Sequence, residues 1–280
     1  MNRVLEYAVW SGRGCVRPGN EDNYYLNGKW NSLESVDKES FLEGRMDDGD
    51  PVLLAVCDGM GGREAGEKAS FMAVSGMNGL KERLQSEQIQ ESLGRWAVDM
   101  NHVICEEIPG SGSTVAMLYV EDGKAYAANI GDSRIYLLRA HQLKQISEDH
   151  SEVARLVRIG AITPEEARTH PDRHAINRHL GVNDDRHCEP EAYPPVSLEA
   201  GDVFLLCSDG VTDMVEDDIL LQLLDAAEDA SAAARMIYRT ALENGGEDNT
   251  TAMVLRVGDE GMPGKKKKPL SFLRALFSRG

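Results

Sequence analysis

The chain has 280 residues, 41% of them hydrophobic and 28% charged, which is typical of a globular protein with a sizeable core. A net charge of −17 argues against general nucleic-acid binding, and the absence of an apolar membrane span or signal region predicts a cytoplasmic protein. Five cysteines without a Cys-x-x-Cys pair predict reduced thiols, not disulfides or a zinc site.

The N-terminal part predicts two short strands on either side of a glycine-broken loop. The strands are Tyr7 to Ser11 and Asn23 to Asn27, and the loop contains Arg17-Pro-Gly-Asn-Glu-Asp22. Residues 28–50 are polar and irregular, and this pattern predicts a surface loop.

The stretch Val52-Leu-Leu-Ala-Val-Cys-Asp-Gly-Met-Gly-Gly62 predicts a buried strand that ends in a carboxylate. Its glycines let the backbone turn sharply and approach whatever Asp58 binds. Asp-Gly alone is weak evidence, because it ends many strands simply by turning well. The pattern recurs, however, at Asp132, Asp209 and Asp248, each of which adjoins another apolar run. Four carboxylates at strand ends predict a common binding site for hard cations.

Strands and helices occur in separate blocks, which predicts an α+β fold with helices covering antiparallel sheets. Helical spacing of apolar residues predicts helices at Glu64 to Leu84, Gln88 to Glu106, Asp217 to Leu224 and Ser231 to Asn244. The other predicted strands are Ser113 to Val120, Lys124 to Ile130, Ser133 to Leu138, Leu143 to Ile146, Asp202 to Ser208 and Thr250 to Val257. Hairpin-sized links at residues 121–123 and 139–142 make the joined strands antiparallel.

Carboxylates without His or Cys suit Mg²⁺ or Mn²⁺ better than zinc. Two such ions about 3.5–4 Å apart can bridge one water and convert it to hydroxide near neutral pH, in position to attack phosphorus. Arg17 could bind phosphate through its planar guanidinium, or it could form an ordinary surface ion pair. The residues alone leave both interpretations open.

Six motifs, in matching order and spacing, resemble the metal-dependent (PPM) protein phosphatase family, type 2C, over about residues 4 to 257. Each motif is weak alone, but the ordered set is specific. The motifs are Arg17-Pro-Gly-Asn-Glu-Asp22, Asp58-Gly-Met-Gly-Gly62, Gly112-Ser-Thr114, Gly131-Asp-Ser-Arg134, Ser208-Asp-Gly210 and Glu247-Asp-Asn-Thr250. Residues 148–182 are similar to the flap segment of the family's bacterial branch, and we call them the flap segment.

The resemblance implies a four-layer αββα sandwich of two antiparallel sheets flanked by helices, with metals in a cleft at one edge. It also implies hydrolysis of phosphoserine and phosphothreonine by direct attack of a metal-bridging hydroxide, opposing a Hanks-type kinase. The implied cofactors are Mn²⁺ or Mg²⁺, as two core ions with a third in bacterial relatives.

The resemblance also implies ligands for the two core ions. Asp58 bridges both ions, and the Gly59 carbonyl binds one of them. Asp209 and Asp248 bind the other ion.

Further residues have implied supporting roles. Glu21 and Asp22 hold metal-bound waters, and Asp132 joins Asp209 around the third ion. Arg17 binds the substrate phosphate, and Asn249 orients Asp248 and nearby waters.

The sequence departs from the family pattern at two positions. Some relatives carry a histidine, assigned as general acid, where this chain has Met60, so the proton donor to the leaving group is open. Arg63 replaces another frequent histidine, and phosphopeptide contact and plain surface charge are both open for it. Packing or surface roles, not metal binding, are predicted for the flap histidines, which are His150, His170, His174 and His179.

Two competing functions share the same motifs. A catalytically dead binding module is disfavoured by the intact Asp58, Asp209 and Asp248. A two-metal hydrolase for another phosphoester is disfavoured by the flap-like segment, which favours a protein substrate.

Residues 1–258 are predicted to form the catalytic domain, and residues 259–280 a linker with a basic amphipathic tail. Lys265 to Lys268 begin a stretch with six basic and no acidic residues, followed by Leu and Phe residues on one helical face. An isolated helix this short is marginal in water, so the tail needs a surface. Peripheral docking on an anionic membrane or a partner is predicted; the acidic domain itself and a disordered solubilising tail are alternatives.

Overall fold

The structure, a computed structural model, describes residues 3–35, 38–47, 49–61, 65–84 and 88–259. Its strands are β1 (Arg3–Gly12), β2 (Asp22–Leu26), β3 (Ser40–Asp47), β4 (Val52–Met60), β5 (Gly112–Ser113), β6 (Val115–Glu121), β7 (Lys124–Ile130), β8 (Arg134–Arg139), β9 (Gln142–Gln145), β10 (Glu191–Ala192), β11 (Val196–Ser197), β12 (Val203–Cys207) and β13 (Thr250–Asp259). Its helices are α1 (Gly66–Ser75), α2 (Met77–Leu84), α3 (Ile89–Glu107), α4 (Glu152–Arg158), α5 (Pro164–Arg168), α6 (Asp209–Thr212), α7 (Asp217–Ala226) and α8 (Ala230–Glu243).

The strands form two sheets in which the paired strands run antiparallel. One sheet has the order β3-β1-β13-β12-β8-β9, and the other β10-β7-β6-β4-β2, with β11 on β7 and β5 on β4. The predicted hairpins β6–β7 and β8–β9 turn at residue pairs with positive φ, Asp122-Gly123 and Ala140-His141. Two successive positive-φ residues are typical of tight hairpin turns, which match the twist of the strands.

The side chains of β4 alternate between the two faces of its sheet, and each face packs against a different layer of the domain. Leu54 and Val56 point into the apolar core between the two sheets, whereas Leu53 and Ala55 pack against the helices α1 to α3. Helices α7 and α8 cover the other sheet through a third apolar cluster that includes Ile237. The result is the predicted four-layer αββα sandwich, with both sheets buried on both faces at the centre.

The loop predicted for residues 28–50 is wrong in its second half, where β3 pairs with β1 along Ser40–Asp47. This strand lies at the edge of its sheet, and its residues alternate between half-buried and exposed, so it lacks the apolar run of a central strand. Pairing with β1 and the contact of Phe41 with Trp10, 4.9 Å between ring centroids, decide its conformation.

The single helix predicted over Glu64 to Leu84 is two helices, α1 and α2, separated at Gly76. A Cβ atom at Gly76 would lie 2.4 Å from the Met100 sulfur and 3.2 Å from the Trp96 ring nitrogen. Glycine at this position therefore lets α3 pack closely against the junction of α1 and α2.

Among the described residues, no helix has both the length and the apolar character that a membrane span requires. Strand β13 ends at Asp259. The predicted tail lies outside the described residues, so the division of the chain at residue 258 stays a prediction.

Candidate metal centre and active site

The floor of the candidate site is formed where β2 and β4 pair. Asp22 and Asp58 are direct cross-strand partners in this pair. Beyond Asp58, β4 pairs with the two-residue strand β5 in the same register in which it pairs with β6, so Thr114 lies opposite Asp58. The Thr114 amide donates to the Asp58 carbonyl at 2.8 Å, and the Thr114 hydroxyl accepts from the Asp58 amide at 3.0 Å. These bonds fix the backbone that carries the Asp58 carboxylate.

Asp22 connects the two sheets at the cleft. Its Oδ2 accepts hydrogen bonds from the hydroxyls of Ser208 (2.6 Å) and Thr251 (2.7 Å), which belong to the other sheet. Among the described residues, its Oδ1 is buried and has no hydrogen-bond partner, and the same holds for Oδ1 of Asp209. A buried carboxylate oxygen without a partner costs about 1–3 kcal/mol or more, so both atoms indicate a missing cation or water.

The other predicted carboxylates arrive at the same cleft from different elements. Asp132 follows Gly131, whose φ of +99° turns the chain after β7; Asp209 is the first residue of α6; and Asp248 precedes β13. Burial raises the pKa of Asp58 well above its usual range, and repulsion from neighbouring carboxylates raises it further. Those neighbours are Asp22, Asp209, Asp132 and Asp248.

The same two causes act on the neighbours themselves. Burial raises the pKa of Asp22 to about 7 against the opposing effect of its hydroxyl donors, and burial followed by repulsion from Asp209 raises the pKa of Asp132 and of Asp248. Carboxylates that are buried together and repel one another are stabilised by a bound cation. Oxygen ligands of this kind fit Mg²⁺ or Mn²⁺.

Glycine is required where the loop with Glu21 meets β4. The Gly59 amide donates to the Glu21 carbonyl at 3.2 Å, and a Cβ atom at Gly59 would lie 2.1 Å from the Gly66 carbonyl oxygen. Burial, followed by repulsion from Glu67, raises the pKa of Glu21. Glycine after Asp58 therefore allows both a turn and the close packing of the β4 backbone against the backbone at Gly66.

Arg17 lies at the mouth of the cleft, with its side chain 49% exposed, and its Nη2 is 2.5 Å from Oδ2 of Asp248. The loop that carries it is held by the side chain of Asn249, which accepts from the Glu21 amide at 2.7 Å and donates to the Gly19 carbonyl at 2.8 Å. Asn249 reaches Asp248 only through its backbone amide, which donates to Oδ1 at 2.7 Å. Its amide side chain thus holds the Arg17 loop, and its predicted role toward Asp248 and nearby waters stays a prediction.

The structure describes one of the two residues that depart from the family pattern, Met60, but not the other, Arg63. Met60 is half-buried at the end of β4, opposite Gly112 of β5. Arg63 lies outside the described residues.

Sequence reasoning missed two residues at this cleft, Asp213 and His174. Their ligand atoms and that of Asp209 all lie within 4.8 Å of one another. Asp213 follows Asp209 at i+4, a helical spacing that could have indicated one shared face. His174 was expected to have a packing or surface role, and no local pattern connects it to Asp209, because the fold alone brings the flap segment to α6.

His150, by contrast, has the packing role expected of it. It is buried, its Nδ1 accepts from the Gly131 amide at 3.0 Å, and its Nε2 lies 2.9 Å from Oε2 of Glu191. It joins the start of the flap segment to the turn that carries Asp132.

At one edge of the four-layer αββα sandwich, buried carboxylates converge on a site that fits divalent metal ions, so the chain is a metal-binding domain of this fold class. A family model described as protein phosphatase 2C matches residues 30–250, and the chain belongs to the protein phosphatase 2C family. The family and fold predicted from the sequence are therefore confirmed.

Three relatives place the chain within the bacterial members. It is 35% identical to the serine/threonine protein phosphatase PstP of Mycobacterium tuberculosis over 91% of this chain and 46% of PstP, so it spans about half of that relative. It is 33% identical to the serine/threonine phosphatase stp of Listeria monocytogenes over 87% of this chain and 92% of that one. The crystal structure of the PstP catalytic domain in complex with two manganese ions matches with a TM-score of 0.71 and 32% identity, covering 92% of this chain and 100% of that chain. The predicted enzyme class, a protein serine/threonine phosphatase, is that of these relatives.

Proposed function

We propose that the chain hydrolyses phosphoserine and phosphothreonine in phosphorylated proteins, using Mn²⁺ or Mg²⁺ held in the carboxylate cleft. The observation that carries this proposal is a pair of buried oxygens, one on Asp22 and one on Asp209, that have no hydrogen-bond partner in the described part of the chain and lie within a set of mutually repelling carboxylates. The manganese ions in the related PstP structure support the same choice of metal.

Three carboxylates and one carbonyl would hold the two core ions. Asp58 would serve both ions, the Gly59 carbonyl would be a ligand of one, and Asp209 and Asp248 would be ligands of the other. When bound, such ions supply Lewis-acid stabilisation of phosphoryl oxygens and lower the pKa of water near phosphorus.

Three further carboxylates would support the centre. Glu21 and Asp22 would hold waters of the ions, and the hydroxyls of Ser208 and Thr251 keep Asp22 in place. Asp132 would hold a third ion together with Asp209.

Arg17 binds the substrate phosphate. Only Nη2 of its guanidinium pairs with Asp248, and the side chain is about half exposed, so donors remain for two phosphoryl oxygens. The contact with Asp248 keeps the guanidinium at the carboxylate cleft, and Asn249 fixes the loop beneath it. A phosphate bound here lies between the positive guanidinium and the metal ligands.

The partners and location of the enzyme are a second part of the proposal. A phosphoprotein substrate has to be made by a protein kinase, and a Hanks-type serine/threonine kinase is the partner that we propose. We further propose a cytoplasmic enzyme whose basic C-terminal tail docks on an anionic membrane surface or a partner protein.

Hydrolysis of p-nitrophenyl phosphate with and without Mn²⁺ tests the enzyme against a binding-only module. Mn²⁺-dependent turnover is expected, and a chain that binds phosphopeptides without hydrolysing them would contradict it. A panel of phosphoserine, phosphothreonine and phosphotyrosine peptides, with a non-protein phosphomonoester as control, tests the substrate class. Preference for the non-protein ester would favour the alternative hydrolase.

A further inference from the structure

A chain of buried polar side chains extends from Asp22 away from the cleft. Thr251, which donates to Oδ2 of Asp22, also has its hydroxyl oxygen 2.8 Å from that of Ser11. The Ser11 hydroxyl in turn accepts a hydrogen bond from Nδ2 of Asn20 at 3.1 Å. All four residues are completely buried. Neither Ser11 nor Asn20 is among the proposed metal ligands, so their place in the chain needs another explanation.

Donors and acceptors fix the direction of this chain. The Asp22 amide donates to Oδ1 of Asn20 at 3.2 Å, so Nδ2 is the atom of Asn20 that faces Ser11. Thr251 has a single hydroxyl hydrogen, which goes to the ionised Asp22 carboxylate, so the hydrogen in the contact between Ser11 and Thr251 comes from Ser11. Every side-chain donor in the chain therefore points towards Oδ2 of Asp22.

This direction determines which oxygen of Asp22 is left for the cleft. Oδ2 accepts from two hydroxyls, and the second of them, that of Ser208, is itself held by the Thr251 amide at 3.0 Å. Oδ1 has no hydrogen-bond partner in the part of the chain that the structure describes. Hydrogen bonds in series polarise one another, so the last hydroxyl is a stronger donor than an isolated one. The chain thus holds the carboxylate in one orientation, with Oδ1 left for a water of a metal ion.

The same chain joins segments that meet only in the fold. Ser11 on β1 and Thr251 on β13 are direct cross-strand partners. Asn20 belongs to the loop that carries Arg17 and lies two residues before Asp22. Because backbone bonds pair β1 with β13, truncation of the Ser11 side chain interrupts the polar chain and leaves the strand pairing in place.

We propose that Ser11 and Asn20 are positioning residues of the metal centre, which act through Thr251 on the orientation of Asp22. The inference rests on the proposed function, because it takes Asp22 as a residue that holds waters of the proposed ions. The two residues contact neither substrate nor metal. Their effect is to keep Oδ2 occupied, so that Oδ1 is the oxygen directed at those waters.

Calorimetric titration of the full chain with Mn²⁺ measures the contribution of each link. Loss of an outer-shell partner typically costs about 10–100-fold in metal affinity, and this loss is expected for Thr251→Val, which removes a direct donor to Asp22. Ser11→Ala and Asn20→Ala remove bonds farther along the chain. Each is expected to weaken Mn²⁺ binding by about 2–10-fold, which is the effect of one neutral hydrogen bond.

Tyr24→Phe is the matched control. Tyr24 is buried on β2, the strand that carries Asp22, and its hydroxyl donates to Oδ1 of Asn31 at 3.0 Å. The variant loses one buried hydroxyl and keeps the polar chain. It is expected to lower the melting temperature of the metal-free protein without changing Mn²⁺ affinity. A purely structural role of Ser11 would give the same result for Ser11→Ala.

A double-mutant cycle tests whether Ser11 acts through Thr251. In the Thr251→Val background the chain is already interrupted, so adding Ser11→Ala is expected to cause no further loss of Mn²⁺ affinity. An equal loss in both backgrounds, or no loss in Ser11→Ala and Asn20→Ala, overturns the inference. The proposed function stands in either case if the wild-type chain binds Mn²⁺ and hydrolyses phosphopeptides. A wild-type chain that binds no Mn²⁺ overturns both.

Discussion

The middle of the sandwich and its cleft edge are built from the same strands by opposite chemistry. At the middle of β12, Leu206 is fully buried between the sheets, and three residues later Asp209 enters the cleft. On β4, Val56 belongs to the same apolar core and Asp58 to the carboxylate floor. Each apolar side chain stabilises the fold by about 1.5–3 kcal/mol, whereas the grouped carboxylates cost free energy until a cation binds.

This difference indicates that the middle of the sandwich supplies stability and that the cleft edge carries function. The core fixes the strand ends, and the strand ends hold charges that would not otherwise stay together. Substitutions in the two regions should therefore have separable effects on stability and on activity, and each prediction below tests that separation.

Removing a cleft carboxylate should have the largest effect. Asp209→Ala is expected to lower Mn²⁺-dependent hydrolysis of p-nitrophenyl phosphate by a factor on the order of 10³ or more, because metal stabilisation of the transition state is worth several kcal/mol. The metal-free protein should stay folded, since the substitution removes a repelling charge. Near-wild-type turnover would contradict the assignment of Asp209 as a metal ligand. It would also contradict the separation between a stabilising core and a functional cleft.

Removing a core side chain from β12, three residues before Asp209, should do the reverse. Leu206→Ala is expected to lower the free energy of unfolding by about 2–5 kcal/mol, because it leaves a cavity between the sheets. Urea denaturation measures the loss. The kcat of the remaining folded protein should be close to that of the wild type. A large fall in kcat without loss of stability would contradict the separation of core and cleft functions.

Arg17 should show an intermediate effect at the mouth of the cleft. Arg17→Ala is expected to raise KM for a phosphopeptide and lower kcat/KM by a factor on the order of 10–100, from loss of a charge-assisted contact worth about 1.5–3 kcal/mol. Metal affinity, measured by calorimetry, should change little. If metal affinity collapses while KM is unchanged, Arg17 has only a structural role through Asp248.

The smallest effect concerns pH in the metal-free protein. The pKa of Asp22 is raised to about 7 in the fold, so between about pH 4 and pH 7 the folded state binds more protons than the unfolded state. The contribution of Asp22 to stability therefore falls as pH rises through this range. Thermal melting in EDTA should show the decline, and Asp22→Asn should flatten it.

Mn²⁺ should cancel the same decline, because the cation replaces the protons. The same pH dependence of the melting temperature in the metal-free wild-type protein and in Asp22→Asn would contradict the raised pKa of Asp22.

The carboxylates were predictable because each lies next to a strong local signal. An apolar run that ends in Asp-Gly is visible at Asp58 and Asp209 without knowledge of the fold. The hairpin links were visible for the same reason, since two residues determine each turn. The αββα order, in contrast, came from the family resemblance and not from periodicity.

Contacts between distant segments decided the rest. Strand β3 forms because β1 is there to pair with it, and the helix break at Gly76 depends on α3, which begins at Ile89. His174 meets Asp209 only because the flap segment folds back on α6. The sequence determined which residues end the strands in charge, because that pattern is local; the tertiary structure decided which distant side chains meet those charges, because such contacts form only when the whole chain has packed.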